Sequence, residues 1–144
     1  IYPAVILTRK PGEDTNLLIN EWLGLLKFHE SYETDPSIRY VFLLLEAFNY
    51  DLPKRAWRDI ALADRYQIKM PELPALELTA LDEYAETGHQ GATLVSALYL
   101  LSEADDSLQE MALLLNAANA LTTIGMENEA RSLVVQHLVQ RIKP

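Results

Sequence analysis

The sequence predicts an all-α fold of about seven helices, arranged as stacked antiparallel hairpins in a short α-solenoid. Apolar residues recur at helical spacing along most of the chain, and no strand-like alternation appears beyond residue 12. The clearest region is residues 114–138, where two apolar stripes flank Gly125. Because this turn is short, its two helices are expected to run antiparallel and to bury their stripes against each other.

Residues 1–12 are the exception to this helical pattern. They contain a short β-branched apolar run that ends at Lys10, Pro11 and Gly12. A single strand has no partner to pair with, so an extended arm lying on the helices is predicted, or the remnant of a neighbouring domain. The chain begins at Ile1, which we interpret as a piece of a longer protein. Residues 13–144 are predicted to form one all-helical domain.

Start and stop signals divide this domain into helices. They are predicted at about residues 14–31, 37–48, 53–66, 74–87, 92–102 and 107–124, and after Gly125. Asp35 before Pro36 opens the helix at 37–48, which is apolar nearly all round and is therefore predicted to be buried. Ser107 and Glu110 form a Ser-x-x-Glu capping box for a later helix.

The charge pattern divides the domain into a nearly neutral half, residues 13–70, and an acidic half, residues 71–144. From Met70 to Ala130 the sequence has no Lys or Arg, against eleven acidic residues. The net charge of −9 argues against a nucleic-acid partner or an anionic membrane surface. The most apolar run, residues 40–45, is far too short to span a membrane, so no membrane insertion is expected.

No pattern in the sequence predicts a catalytic, metal or cofactor site. The absence of Cys excludes a thiolate nucleophile and a Cys-ligated metal. His29, His89 and His137 lie far apart, and none has a second His at the i+3 or i+4 position that a zinc-binding helix requires. We therefore expect a protein that is not an enzyme and that binds no cofactor.

A weak repeat relates two hairpins of the acidic half. Placing Gly88 on Gly125 gives a period of 37 residues, within the range of helical-hairpin repeats, and aligns Tyr84 with Leu121. Both glycines are predicted to form turns, because each follows a helix where a residue with positive φ is favoured.

Residues 114–141 resemble a tetratricopeptide repeat. In that family a small residue, an aromatic, a glycine and an alanine recur at fixed offsets. Ala118, Leu121, Gly125 and Ala130 stand at these offsets here, with Leu121 in place of the aromatic, and Ile142 stands where a proline would close the unit. The resemblance implies a right-handed superhelix of stacked hairpins. The wider C-terminal pattern is also similar to helical tails of bacterial proteins that have no assigned activity.

The acidic half favours a non-catalytic protein–protein interaction or scaffold module that forms part of a longer protein. Helical solenoids commonly present extended binding surfaces, and an uncompensated acidic tract suits a basic protein partner. The predicted partner-binding residues are Asp82, Glu83, Tyr84, Glu86, Tyr99, Glu127 and Glu129.

A second hypothesis is a small-ligand site or an active site around Glu46. This carboxylate lies within the most apolar helix, where a buried and unpaired acid would have a raised pKa. Trp22, Trp57 and nearby arginines would line such a pocket. An ion pair with one of these arginines, or exposure on a polar edge, is the structural interpretation. The only basic cluster, residues 54–58, is interpreted as a solvated helix start.

A third hypothesis is a structural cap or a dimerisation tail. The last predicted helix carries extra apolar positions at Val135, Val139 and Ile142. If these form an exposed apolar stripe, the helix would pair with a second copy of the chain.

Overall fold

The structure, a computed structural model, describes residues 2–63 and 71–141, apart from the side chains of Glu33, Thr34 and Ala63. These residues form nine α-helices and no strand, so the predicted all-α fold is confirmed. The helices are α1 (Tyr2–Leu7), α2 (Glu13–Phe28), α3 (Ser31–Thr34), α4 (Ile38–Ala47), α5 (Lys54–Ala63), α6 (Ala75–Glu86), α7 (Gln90–Ser102), α8 (Ser107–Thr123) and α9 (Glu127–Gln140). Residues 64–66 of the third predicted helix lie outside the described residues.

Residues 2–7 form helix α1, so the prediction of an extended arm is wrong for them. With no neighbouring strand, a helix is the conformation that satisfies the backbone hydrogen bonds within the segment itself. Ile6 and Leu7 are fully buried, and α1 packs against α2 and α4. The Tyr50 hydroxyl donates a hydrogen bond to the carbonyl oxygen of Ile6 at 2.9 Å and also reaches the carbonyl of Arg9. These contacts anchor α1 to the helices that follow it.

Two compact units make up the chain. Unit 1 comprises Ile1–Met70 and His137–Pro144, and unit 2 comprises Pro71–Gln136. Helix α9 therefore begins in unit 2 and ends in unit 1. Residues 137–141 belong to unit 1, although the charge pattern of the sequence groups them with the acidic half.

The core of unit 1 is built around Phe42, a fully buried residue of α4. The rings of Trp22 and Trp57 each meet the Phe42 ring edge to face, with centroids 5.5 Å apart. The Tyr32 ring meets it in the same manner at 6.2 Å. This arrangement suits aromatic rings, because the positive edge of one meets the negative face of another. One residue of α4 thus ties together α2, α3 and α5.

The end of α9 completes a cavity in unit 1. Leu138 and Arg141 line it beside Trp22 and Ser37, and its volume is about 250 Å³. The Arg141 guanidinium donates to the Ser37 hydroxyl oxygen at 3.4 Å, and that hydroxyl donates to the Asp35 carboxylate at 2.6 Å. The last described residues of the chain are therefore part of the wall of unit 1.

Unit 2 is built around α8, which packs against α7 and α6. Its buried side chains include Met111 and Leu114 near the start and the small residues Ala117 and Ala118 further along. Small side chains let neighbouring helices approach closely, while the leucines fill the space between them. Ala117, Ala118 and Leu121 belong to the first of the two apolar stripes within residues 114–138, and all three are buried.

Helices α6 and α8 end in the same left-handed turn. Gly88 and Gly125 have φ angles of +75° and +81°. At the second turn the Met126 N–H donates to the Leu121 carbonyl at 2.9 Å, the hydrogen bond that closes a Schellman motif. Asn49 ends α4 in the same way with a φ of +66°, because Asn adopts this region more readily than other residues with a Cβ.

Helix α8 is capped by a different residue from the one predicted. The N-cap is Asp106, whose carboxylate accepts a hydrogen bond from the Gln109 N–H at 2.7 Å. Ser107 is already the first helical residue, so Ser107 and Glu110 do not form the predicted capping box. A carboxylate at the N-cap also interacts favourably with the helix dipole, which explains why Asp106 takes this position.

Candidate interaction surface

Unit 2 carries a concentrated negative charge. Its eleven acidic residues stand against one basic residue, Arg131, which gives the unit a formal charge of −10. Ten of the eleven acidic side chains are exposed, and Glu110 is half-buried. The Arg131 guanidinium pairs with Glu127 at 3.1 Å along α9, so this single cation is already engaged within its own helix. The field around unit 2 is therefore strongly negative.

All seven predicted partner-binding residues are exposed in unit 2. Asp82, Glu83 and Glu86 lie on the same side of α6, because Glu86 follows Asp82 by four residues and Glu83 by three. Glu127 and Glu129 lie in the first turn of α9, where carboxylates also stabilise the helix through its dipole.

The two predicted tyrosines are exposed on neighbouring helices of unit 2. Tyr84 of α6 has 40% of its area exposed, and its ring meets that of His89 at 6.5 Å. Tyr99 of α7 is 56% exposed. Both rings therefore offer apolar area and a hydroxyl to solvent, as contact residues need to.

An apolar groove lies between α7 and α9 in unit 2, with a volume of about 370 Å³. Its apolar lining is Leu94, Leu98, Leu121 and Leu133, and its polar lining is Asn128, Glu129, Ser132 and Gln136. Of the predicted partner-binding residues, only Glu129 lines this groove.

The groove was not predicted from the sequence. The buried face of α7 consists of Thr93, Ala97, Leu100 and Leu101. Val95 and Leu98 are consequently left at the surface, exposed by 67% and 48%. The available signal is that α7 carries apolar residues on more than one face, although this pattern alone does not tell which face is exposed.

Glu46 is exposed on α4, although its neighbours Leu44 and Leu45 are fully buried. The Trp57 indole N–H donates a hydrogen bond to its carboxylate at 2.8 Å. The structure thus places Glu46 on the polar edge of the helix, and the buried carboxylate that the second hypothesis requires is not found at this residue.

A cleft in unit 1 gathers positive charge. Lys27 of α2 and Arg55 and Arg58 of α5 line it together with Tyr32 and Asp59, and its volume is about 210 Å³. The Arg55 guanidinium donates to the Asn20 side-chain oxygen at 2.7 Å. Burial raises the pKa of Tyr32 to about 12, with Asp59 adding to the rise and Arg55 opposing it. The Tyr32 hydroxyl is therefore a hydrogen-bond donor at neutral pH.

The three histidines occupy separate places. His29 is exposed at the end of α2, and His137 is half-buried on α9. His89 is the N-cap residue of α7, but its ring makes no capping hydrogen bond, and its Nδ1 instead lies 2.7 Å from the Thr87 hydroxyl oxygen. Within residues 2–63 and 71–141, no group of three potential metal-binding side chains occurs. The helices in this part of the chain are all too short or too polar to cross a membrane.

The stripe proposed for dimerisation is described only in part. Val139 is 46% exposed and Val135 is half-buried, while Ile142 lies outside the described residues. Pairing through the last helix stays a prediction.

Comparison of the chain with protein-family models, with curated proteins and with solved structures gives no match.

Proposed function

We propose that this chain is a non-catalytic protein–protein interaction module that binds a basic partner through unit 2. The observation that carries the proposal is the formal charge of −10 on one compact unit, with ten exposed carboxylates and a single cation already paired to Glu127. A surface of one sign steers an oppositely charged partner and disfavours others. The exposed rings of Tyr84 and Tyr99 supply contact area beside these charges.

We also infer that the hairpins α6–α7 and α8–α9 are consecutive helical repeats of tetratricopeptide-like type. The first helix of each hairpin ends in the same left-handed glycine turn, and the two glycines are 37 residues apart. Helix α6 packs on α8 as well as on α7, as stacked hairpins require. Arrays of this kind bind partners along their extended faces, which agrees with the proposed role.

A salt-dependent pull-down tests the proposed function. The immobilised chain is expected to retain basic proteins at about 0.05 M ionic strength and to release them at about 0.5 M, where charges are screened within a few ångströms. The test variant combines Asp82→Asn, Glu83→Gln and Glu86→Gln on α6. A matched control makes the same change in charge in unit 1, with Glu13→Gln, Asp14→Asn and Glu21→Gln, all of which are exposed.

The proposal requires that the α6 variant loses the basic proteins and that the unit 1 variant keeps them. An equal loss by both variants would show that net charge alone, and not unit 2, attracts the partner, and equal retention by all three chains would show that the α6 carboxylates do not bind it. Failure of the native chain to retain any basic protein at low salt would also overturn the proposal.

The cleft of unit 1 favours a second candidate function, the binding of a small phosphate monoester. Lys27, Arg55 and Arg58 converge there, and the planar guanidinium of Arg matches two phosphate oxygens at once. The protonated Tyr32 hydroxyl adds a donor on the same lining. Glu46, around which the sequence predicts a pocket, does not line this cleft.

Thermal unfolding with inorganic phosphate tests this candidate. Phosphate should raise the Tm relative to chloride at equal ionic strength, because a ligand that binds only the folded state stabilises it. Arg58→Gln should abolish the rise. Lys54→Gln is the matched control, since Lys54 is exposed on the same helix but does not line the cleft. A rise that is equal in both variants, or absent in the native chain, would remove the candidate.

A further inference from the structure

The outer face of α7 is an uncovered apolar surface. Val95, Leu98 and Tyr99 have exposed fractions of 67%, 48% and 56%, and their spacing of three and four residues places them on one face of the helix. Exposed apolar side chains that cluster in this way mark binding sites more often than ordinary surface. Burying them against a partner would be favourable, because it removes apolar area from water.

The groove beside this face has two chemically different walls. Leu94 and Leu98 of α7 form the apolar wall, and Leu121 of α8 also lines the groove. The α9 side is mixed, because Leu133 lines the groove there together with the polar residues Asn128, Glu129, Ser132 and Gln136. A segment lying in the groove would therefore meet apolar side chains from both helices, and a carboxylate with uncharged polar groups on the α9 side alone.

We propose that the groove between α7 and α9 binds an amphipathic basic helix of the partner protein. The helix would place large apolar side chains, spaced by three or four residues, against Leu94, Leu98 and Leu133. Its lysines or arginines would face Glu129 and the wider negative field of unit 2. The inference rests on the proposed function. It adds that the groove is the part of unit 2 that contacts the partner, and that the partner contacts it through a helix. Recognition of a helix in an apolar groove is a common mode of peptide binding.

Charge decides between this occupant and a second copy of the chain. Two copies that met through this groove would bring together two units of formal charge −10, each with one cation already paired. Like charges facing each other across an interface oppose association. A basic helix instead gains both apolar burial and attraction to the acidic surface, so it is the occupant that the groove favours.

Fluorescence anisotropy with a designed peptide tests the inference. The probe is a dye-labelled peptide of about 18 residues, made of leucine and lysine with leucine at helical spacing, about five turns long if fully helical. A peptide of the same composition with leucine at alternate positions keeps the charge and removes the apolar stripe. The helical probe should bind the native chain at least about tenfold more tightly than the alternating one, a free-energy difference of about 1.4 kcal/mol.

Matched variants locate the binding. Leu98→Ser removes apolar area from one wall of the groove and should weaken binding of the helical probe about tenfold. Leu76→Ser is its control, because Leu76 is 83% exposed on α6 and does not line the groove. Glu129→Gln should weaken binding more than Glu77→Gln, since Glu77 is an exposed acid of the same unit outside the groove. Circular dichroism of each variant checks that its fold is intact.

The outcomes separate the two proposals. Equal binding by Leu98→Ser and Leu76→Ser, with salt-dependent binding of both lysine peptides, would overturn the groove and leave the acidic interaction surface standing. No binding of either peptide at low salt would overturn both. A concentration-dependent increase in mass of the native chain that Leu98→Ser abolishes would assign the groove to a second copy, and would overturn the basic helix.

Discussion

Replacing Phe42 with alanine is expected to lower the free energy of unfolding of unit 1 by about 3–5 kcal/mol. The side chain is fully buried, so the substitution removes apolar contacts and leaves a cavity. It also removes three edge-to-face contacts at once, with Trp22, Trp57 and Tyr32. Helices α2, α3 and α5 would each lose a contact with α4.

Tryptophan fluorescence during chemical denaturation measures this effect directly. The two tryptophans of the chain, Trp22 and Trp57, both lie in unit 1 and both contact Phe42. Phe28→Ala is the control, because Phe28 is 80% exposed and its loss should change stability by less than about 0.5 kcal/mol. If the two variants unfolded at the same denaturant concentration, Phe42 would not be the centre of this core.

Replacing Gly125 with valine is expected to cost about 2 kcal/mol or more. The φ of +81° at this residue is a conformation that a β-branched side chain adopts only with strain. No neighbouring heavy atom lies within 4 Å of the place that a Cβ would occupy, so the cost comes from the backbone and not from a clash. Gly125→Asn should cost less, since Asn tolerates the left-handed region.

Circular dichroism is the measurement for this variant. Tryptophan fluorescence would not report on unit 2, because that unit contains no tryptophan. The control is Gly24→Ala. Gly24 lies within helix α2, and a Cβ there would also meet no atom within 4 Å. That substitution should stabilise the chain by up to about 1 kcal/mol, because alanine is the better helix former. A Gly125→Val chain that melts like the native one would show that the turn does not need its left-handed residue.

Some helices were predictable from the sequence, because proline or glycine marks their ends and their apolar residues recur at helical spacing. Helix α4 is the clearest case, since its apolar run and its Asp35–Pro36 start signal required only local information. Helix α1 was not predictable, because six residues are too few to show a period. Its helical state depends on α2, α4 and the Tyr50 hydroxyl, none of which is adjacent in sequence.

The sequence predicted the negative charge of the candidate site but not its apolar groove. The exposed carboxylates of α6 and α9 follow from composition, but the groove depends on which apolar face of α7 turns inward. Ala97 and Leu100 are buried there, and Leu98 lies at the surface. A helix with apolar residues on several faces leaves this choice to tertiary packing, and periodicity does not resolve it. Exposure of Glu46 on a polar edge was one of the two structural interpretations that the sequence allowed, whereas its hydrogen bond from Trp57 depends on the packing of α5 beside α4.

The division of unit 1 between the start of the chain and residues 137–144 has a consequence for the order in which the protein can form during synthesis. A ribosome has produced every residue of unit 2 by Gln136, whereas unit 1 still lacks Leu138 and Arg141 at that moment. Because domains generally fold as units, unit 1 cannot complete the wall of its cavity until the whole of unit 2 has been synthesised. A truncation after Gln136 would spare every residue of unit 2 and would leave the Trp22 cavity of unit 1 without one of its walls.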